Sequence, residues 1–296
     1  MSRISVVIAT KDRAAFVERA LDAFAGQRDA PPFEVIVADN GSTDATPAVV
    51  EAARRRVPFA LQRIDAGNAN RALARNAGIA AASGELIAFV DDDVWLPAGF
   101  LAAHARAHES AAFRAVSGPI VNVASYEERP RPGPQNFSNA FFVTCNVSIP
   151  KRALEAVGGF DESFDLYGWE DTELGLRLRE SGVERFFAWD AYLYHIKPPA
   201  IETLDVSIRK TLEKAQMAAR FVRKKPTLRT KLATGAYGLN LLRAKLTAPL
   251  LPLYAGLASS SRVPKALGTY ARARLLDGLY TQRLARELDA DPSRPA

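Results

Sequence analysis

A single cysteine, Cys145, stands in 296 residues, so no internal disulfide can form and no thiol cluster is available for zinc. That usage fits a reducing cytoplasm. No apolar run reaches the roughly 20 residues that span a bilayer. The opening residues enter a strand-like run without the basic and then apolar segments of a secretory signal. The expected location is therefore cytoplasmic, with any membrane contact peripheral, at the inner face of the plasma membrane. Glycines are missing after the first apolar run, where Thr10, Lys11, Asp12 and Arg13 follow one another. This argues against the phosphate loop of a nucleotidyltransferase. No repeat recurs at a fixed period, and no aromatic-interleaved basic motif points to nucleic acid, which is not expected as a partner.

Acidic residues are scarce at one end only. Residues 1–208 hold 21 Lys and Arg against 28 Asp and Glu, whereas residues 209–296 hold 18 against 5. An acidic body with a basic tail implies two separate jobs. Within the body, short and nearly unbroken apolar runs at 4–9, 33–38, 59–64 and 86–90 suit parallel strands buried on both faces. Helical spacing and alanine fill 14–25, 45–55 and 69–82 between them. The alternation predicts an α/β fold, a doubly wound and mostly parallel sheet, with ligands at the carboxyl ends of its strands. Farther on, 115–123, 141–149 and 186–194 read as strands, 127–135 as an exposed loop, and 151–157 and 168–180 as helices.

Polar groups gather where such a sheet would bind. Asp91, Asp92 and Asp93 follow the apolar run 86–90 directly. Three adjacent carboxylates repel one another unless a cation sits among them, and such an oxygen site suits Mg²⁺ or Mn²⁺. A solvated acidic turn is the competing reading. Arg71 and Arg75 are spaced to share a helix face, so both can point to one anion, or can pair with nearby acids. Asp39 and Asn40 end the second run, as a turn or as nucleoside contacts. Glu170 and Asp171 open a helix, where a carboxylate can take a proton from a hydroxyl or can simply offset the helix dipole. Trp169 is core or a platform for a sugar face, and His195 a further metal ligand or a structural histidine.

Taken in order, the segments 4–10, 37–44, 74–78, 84–93, 157–162 and 169–171 resemble the family-two glycosyltransferases of GT-A fold. The likeness covers about residues 1–197. It implies a nucleotide-diphospho-sugar transferase: a Rossmann-like, mostly parallel sheet flanked by helices, with a C-terminal helical extension. The catalytic domain would span 1–203, with a nucleotide-sugar half (1–112) and an acceptor half (113–203), and a basic helical region would span 204–296. By the resemblance, Thr10, Asp12, Asp39, Asn40, Arg71, Arg75, Asp91 and Asp92 line the donor. Asp93, Asp91 and His195 are the metal ligands for Mn²⁺ or Mg²⁺. Asp171 is the base with Glu170 as its partner, and Trp169 and Glu170 face the acceptor. The family text has Gly where Trp169 stands, and Asn40 replaces a commoner Asp.

The expected function is inverting transfer from a nucleotide-diphospho-sugar, UDP-linked by the family habit at Asp39, to a hydroxyl of a glycan or lipid-linked acceptor. A non-catalytic nucleotide-sugar binder is the alternative, and a sugar nucleotidyltransferase a weaker one. In the tail, Lys210, Lys214, Arg220, Arg223, Lys224 and Lys225 form one basic helix. The region 209–258 is a candidate for contact with an anionic membrane, or for packing within the protein.

Overall fold

A computed structural model describes residues 3–67, 70–109, 113–198, 203–260 and 262–290. The first apolar run becomes β1 (Ile4–Thr10), followed by α1 (Ala14–Ala25), β2 (Phe33–Asp39), α2 (Thr46–Arg54), β3 (Ala60–Asp65), α3 (Arg71–Ala81) and β4 (Leu86–Val90). Along β1 the residues divide by period two. Ile4, Val6 and Ile8 pack with Val17, Leu21 and Phe24 of α1, whereas Val7 packs with Ile36, Ile87 and Ala72 on the other face. Burial on both faces is why the run reads as continuous apolar sequence. On that second face α3 comes close to the sheet: a Cβ on Gly78 would lie 2.5 Å from Val7 Cγ1. A mid-helix glycine costs about 1 kcal/mol, and here it admits the contact.

The remaining elements are β5 (Val94–Trp95), α4 (Phe100–Glu109), β6 (Arg114–Ser117), β7 (Ile120–Val123), β8 (Asn146–Pro150), α5 (Lys151–Ala156), α6 (Glu170–Glu180), β9 (Glu184–Phe187) and β10 (Leu193–Ile196). The large sheet runs β3-β2-β1-β4-β8-β6-β9, and a small one runs β5-β10-β7. Strands β3, β2, β1 and β4 are parallel, while β8 lies antiparallel between β4 and β6.

Several expected boundaries change. The third run forms an edge strand whose side chains are mostly exposed, not a strand buried on both faces. The helix expected at 69–82 begins at Arg71, capped by the Asn70 side chain, and Ala69 lies outside the described residues. Of 141–149 only the last part is strand. The runs 115–123 and 186–194 each split into two strands, one in each sheet. At the first split a Cβ on Gly118 would meet Ala191 O at 1.8 Å, so the two crossovers touch through backbone. Asn146 clasps both, donating from Nδ2 to Pro119 O (3.2 Å) and Ala191 O (2.9 Å).

Helix α4, unexpected from the sequence, continues this clasp. Because Asn146 Nδ2 donates twice, its Oδ1 faces His104 Nε2 (3.0 Å), which must carry the proton. His104 Nδ1 then accepts from Ser148 Oγ (2.8 Å), and Ser148 Oγ accepts from His108 Nε2 (2.8 Å). Every proton in the chain is placed with both rings neutral. Burial accordingly pulls each histidine down to about 4 from the ordinary 6.5.

By its contacts the chain divides into two compact units. One comprises Met1–Asp165 and Glu170–Pro199, the other Leu166–Trp169 and Ala200–Ala296. The second unit contains α7 (Leu204–Lys224), α8 (Leu228–Thr234), α9 (Gly238–Thr247), α10 (Leu251–Ser259) and α11 (Lys265–Asp289). Helix α11 packs against α7, α9 and α10. The core of this unit is small: Ala215, Ala218, Ala219, Val222, Ala236 and Leu284, with Trp169 and Tyr280 against it. Among the described residues no helix is long and apolar enough to cross a membrane.

The two depressed histidines predict an acid limb of stability. Between pH 6.5 and about 4 these two histidines bind more protons in the unfolded chain than in the folded one, so their contribution to stability falls as pH drops through that window. Asp92 and Asp171, raised to about 6, act in the opposite sense, so the histidine part is read as the difference in urea midpoint between the parent and a His104→Gln, His108→Gln variant. That difference should shrink as pH falls from 6.5 to about 4, and a difference independent of pH would refute the assignment.

Candidate active site

The carboxyl ends of β1, β2 and β4 bring their polar residues together, beginning with the aspartate triplet. Thr10 Oγ1 donates to Asp92 Oδ2 at 2.6 Å. Arg13 donates from its guanidinium to Asp93 Oδ2 at 2.7 Å, and its Nε lies 2.9 Å from Asp92 Oδ1, an ion pair without hydrogen-bond alignment. His195 Nε2 is 2.9 Å from Asp93 Oδ1. The cation that three carboxylates require is thus supplied in part by the chain itself. Asp92 is pushed up to about 6, chiefly by burial, against the pull of Arg13 and Thr10. Burial also raises Asp93, but His195 and Arg13 outweigh it and leave its carboxyl below the ordinary value.

Asp91 faces the other way, toward β8 and β10. Its carboxylate, Cys145 Sγ and a His195 ring nitrogen lie within 4.8 Å of one another. Among the described residues no other three His, Cys, Asp or Glu groups converge in this way. Burial holds the Cys145 thiol well above its ordinary pKa, and Asp91 and Asp93 push in the same direction. It is therefore a neutral thiol, and a weak ligand.

Asp39 is fully buried at the end of β2. Its Oδ2 accepts from Arg63 of β3 (2.8 Å) and its Oδ1 from Ser42 N (2.9 Å). Beside it, Asn40 Oδ1 is buried and has no hydrogen-bond partner. Such an atom is costly to leave unsatisfied and marks a place for a donor group. Asp12, at φ +52, accepts at Oδ1 from Thr43 N (2.7 Å) and from Asp44 N (3.3 Å). Its carboxyl is lowered mainly by the Thr43 backbone, so Asp12 ties the β2–α2 loop to the β1–α1 loop.

The two arginines of α3 separate. Arg71 is exposed, whereas Arg75 is buried and donates to Glu170 Oε1 at 3.1 Å, with Asp171 Oδ1 at 3.7 Å. The expectation that both point to one external anion gives way to the pairing of Arg75 with acids of the same chain. Burial disfavours the charged guanidinium, but Asp171, Glu170 and Asp91 outweigh this and raise its pKa.

Asp171 Oδ2 accepts from Thr144 N (3.0 Å) and Thr144 Oγ1 (2.9 Å), while Oδ1 is left without a hydrogen bond. About a quarter of the side-chain surface, 24%, stays open. Desolvation pushes its carboxyl up to about 6. Arg75 draws it down and Glu170 raises it.

The segment before this pair is held by other sequence motifs. Asn76 clasps the loop after α5 by accepting from Phe160 N (2.8 Å) and donating to Phe160 O (2.9 Å). Arg177 of α6 grips Glu173 twice at 2.7 Å and reaches Gly159 O at 2.8 Å. Gly168 and Trp169 both adopt left-handed backbone, φ +97 and +75. For a tryptophan this conformation costs about 1–2 kcal/mol, which explains why glycine suits the position. The Trp169 indole donates to Lys214 O (3.0 Å) and packs near Phe221, as part of the C-terminal unit's core.

Sequence reading did not single out Arg13, Arg63, Thr144 or Cys145. A lone cysteine ending an apolar stretch carries no signal of the carboxylate and imidazole beside it. Arginines that compensate buried acids look like ordinary surface charge.

Comparison with known proteins accords with this geometry. The family described as glycosyl transferase family 2 matches residues 5–160, and the N-terminal domain of galactosyltransferase matches 126–208. Validoxylamine A glucosyltransferase of Streptomyces hygroscopicus subsp. limoneus is 31% identical over 270 residues, covering 77% of this chain and 58% of its own length. The chain thus spans under two thirds of that relative. The succinoglycan biosynthesis protein ExoM of Rhizobium meliloti is 24% identical over 64% of this chain and 65% of its own. Among solved structures, a mannosyltransferase from Pyrobaculum calidifontis, in complex with GDP-Man and Mn²⁺, aligns with TM-score 0.63 at 21% identity, over 97% of this chain and 87% of that one. S. aureus TarS with UDP-GlcNAc aligns at 0.55 and 20%, over 96% of this chain and 90% of that one. The fold is GT-A, and with its family match extending over more than half its length, the chain belongs to glycosyl transferase family 2.

Proposed function

We propose that the protein transfers a sugar from a nucleoside diphosphate donor, UDP-linked by the family habit of an Asp at position 39, to a hydroxyl of a glycan or lipid-linked acceptor, with inversion. The observation that carries this reading is the state of Asp171: one oxygen is anchored by Thr144, the other accepts no hydrogen bond and lies 3.7 Å from Arg75, and the carboxyl is raised to about 6. A base of that strength is ionised at neutral pH, yet binds a proton more tightly than an ordinary aspartate does. Asp171 would take the acceptor proton as the hydroxyl attacks the anomeric carbon from the face opposite the diphosphate. A single displacement inverts that carbon, and no covalent enzyme intermediate is needed. Glu170, held by Arg75, keeps the guanidinium in place beside the base.

The donor set favours a hard divalent cation. Asp91 and Asp93 offer oxygen and His195 offers nitrogen, while the neutral thiol of Cys145 adds little. These three residues would hold Mn²⁺ or Mg²⁺, which when bound offsets the charge of the leaving diphosphate. Thr10, Asp39 and Asn40 would meet the nucleoside, with the open Asn40 Oδ1 accepting from it.

A panel of nucleotide-sugars, assayed with Mn²⁺ and then with EDTA, should give metal-dependent release of one nucleoside diphosphate. Silence across the panel, together with no donor-induced thermal shift, would point instead to a non-catalytic protein. Asp171→Asn should lower kcat by about 10²-fold or more. In the parent protein kcat/KM should fall with acidity below about pH 6, because the base must be unprotonated. An Asp171→Asn variant with near-normal turnover would remove the base assignment. Cys145→Ala should keep Mn²⁺ binding, read by electron paramagnetic resonance with the donor nucleotide present, whereas Asp91→Asn and His195→Ala should weaken it. Loss in the alanine variant alone would make the thiol a ligand.

A further inference from the structure

Within 209–258, the region expected to meet a membrane, the basic helix α7 is not the one with a free apolar face. Helix α7 buries its apolar residues Ala215, Met217, Ala218, Ala219, Phe221 and Val222, and Ala215, Ala218, Ala219 and Val222 belong to the core of the C-terminal unit. The exposed leucines lie farther on. On α9 Ala244 is buried, and Arg243, half exposed beside the leucine stripe, pairs with Asp277 of α11 at 2.9 Å. Leu239, Leu242 and Leu246 stand on the outer side, 77%, 54% and 73% exposed. Their spacing of three and then four residues places them in one stripe. Leu228 and Leu232 do the same on α8, one turn apart and 72% and 57% exposed, and Leu250 and Leu253 follow at 43% and 58%. Scattered apolar side chains are normal on a surface, but seven leucines within 26 residues, on consecutive helices, mark an interaction face.

The charge of the segment identifies what covers that face. From residue 214 to residue 276 there are 13 Lys and Arg and not one Asp or Glu. Arg229, Lys231 and Lys245 interleave with the leucines themselves. A second copy would bring like charge against like charge, and a neutral partner would make no use of the bias. An anionic lipid surface complements both properties, because leucine side chains enter the headgroup boundary while Lys and Arg meet phosphate. With no spanning helix among the described residues, the contact would be interfacial.

We propose that the leucine face of α8–α10 is a docking surface for an anionic bilayer. The proposal is independent of the transfer reaction, since it uses no residue of the candidate active site. Cosedimentation of the full chain with phosphatidylcholine vesicles, and with vesicles also containing phosphatidylglycerol, tests it directly. Binding should require phosphatidylglycerol and weaken as salt rises. Leu239→Gln with Leu246→Gln should reduce it roughly tenfold or more, and Lys231→Gln with Lys245→Gln should do so most clearly at low salt. Both leucines are exposed, so the variant should keep the parent's circular dichroism and unfolding midpoint, and any donor turnover measured without vesicles should be unchanged. Absence of binding to phosphatidylglycerol vesicles would overturn the proposal, as would undiminished binding by the folded leucine variant. A dimer in solution that the leucine variant abolishes would overturn it too, and would assign the face to a second copy.

Discussion

Strands β2 and β3 end in Asp39 and Asp65, β4 is followed by three aspartates, and α6 opens with Glu170 and Asp171, so the first unit gathers carboxylates that must be compensated. Two unit charges about 4 Å apart interact by roughly 4 kcal/mol at the effective dielectric of a protein surface, a sizeable part of a domain's net stability. The compensation is specific. Arg63 serves Asp39, Arg13 serves Asp92 and Asp93, and Arg75 serves Glu170 and Asp171. Each arginine comes from a different element, so neutrality is reached only when the strands and helices are assembled. Asp91 is left turned toward Cys145 and His195, and Asp171 with one oxygen that accepts no hydrogen bond.

The motifs that run in family order turn out to be mechanical partners. Asn76, within 74–78, holds the loop of 157–162, and Asn70 just before α3 donates to Glu162 O at 2.7 Å. Phe160 of that loop presses edge-on against Phe89 of β4 at 5.5 Å. Burying such a ring is worth about 1.5–3 kcal/mol, so the strand leading to the aspartates and the loop leading to the Glu-Asp pair are braced against each other. On the other side, Asn146 and the neutral histidines of α4 lock β8 to the crossovers. Cys145 precedes that clasp directly, which sets where it meets Asp91.

The C-terminal unit follows a different logic. Its core is built from alanines with few large side chains, and it leaves its leucines outside. Such a unit gains little from its own interior. Its surface is the more informative part, and the absence of acidic groups from 214 to 276 leaves that stretch with basic charges alone.

The sequence by itself determined the four parallel strands, the helices between them, and the edge at which polar residues would collect. These depend on local properties: unbroken apolar runs for strands buried on both faces, 3.6-residue spacing for helices, and turns at the strand ends. It also drew attention to Asp91–Asp93 and Glu170–Asp171, because each set is contiguous. Tertiary structure alone decided which cation meets which acid, since Arg13 and Asp93 are 80 positions apart and Arg75 and Glu170 are 95 apart. It decided that 115–123 is two strands, because a backbone crossing at Gly118 and Ala191 cannot be read from either segment. It placed Trp169 with the C-terminal helices and turned the apolar face of α7 inward, leaving the leucines of α8–α10 to solvent. Amphipathic spacing shows that a helix has an apolar face, but only packing shows which neighbour, if any, covers it.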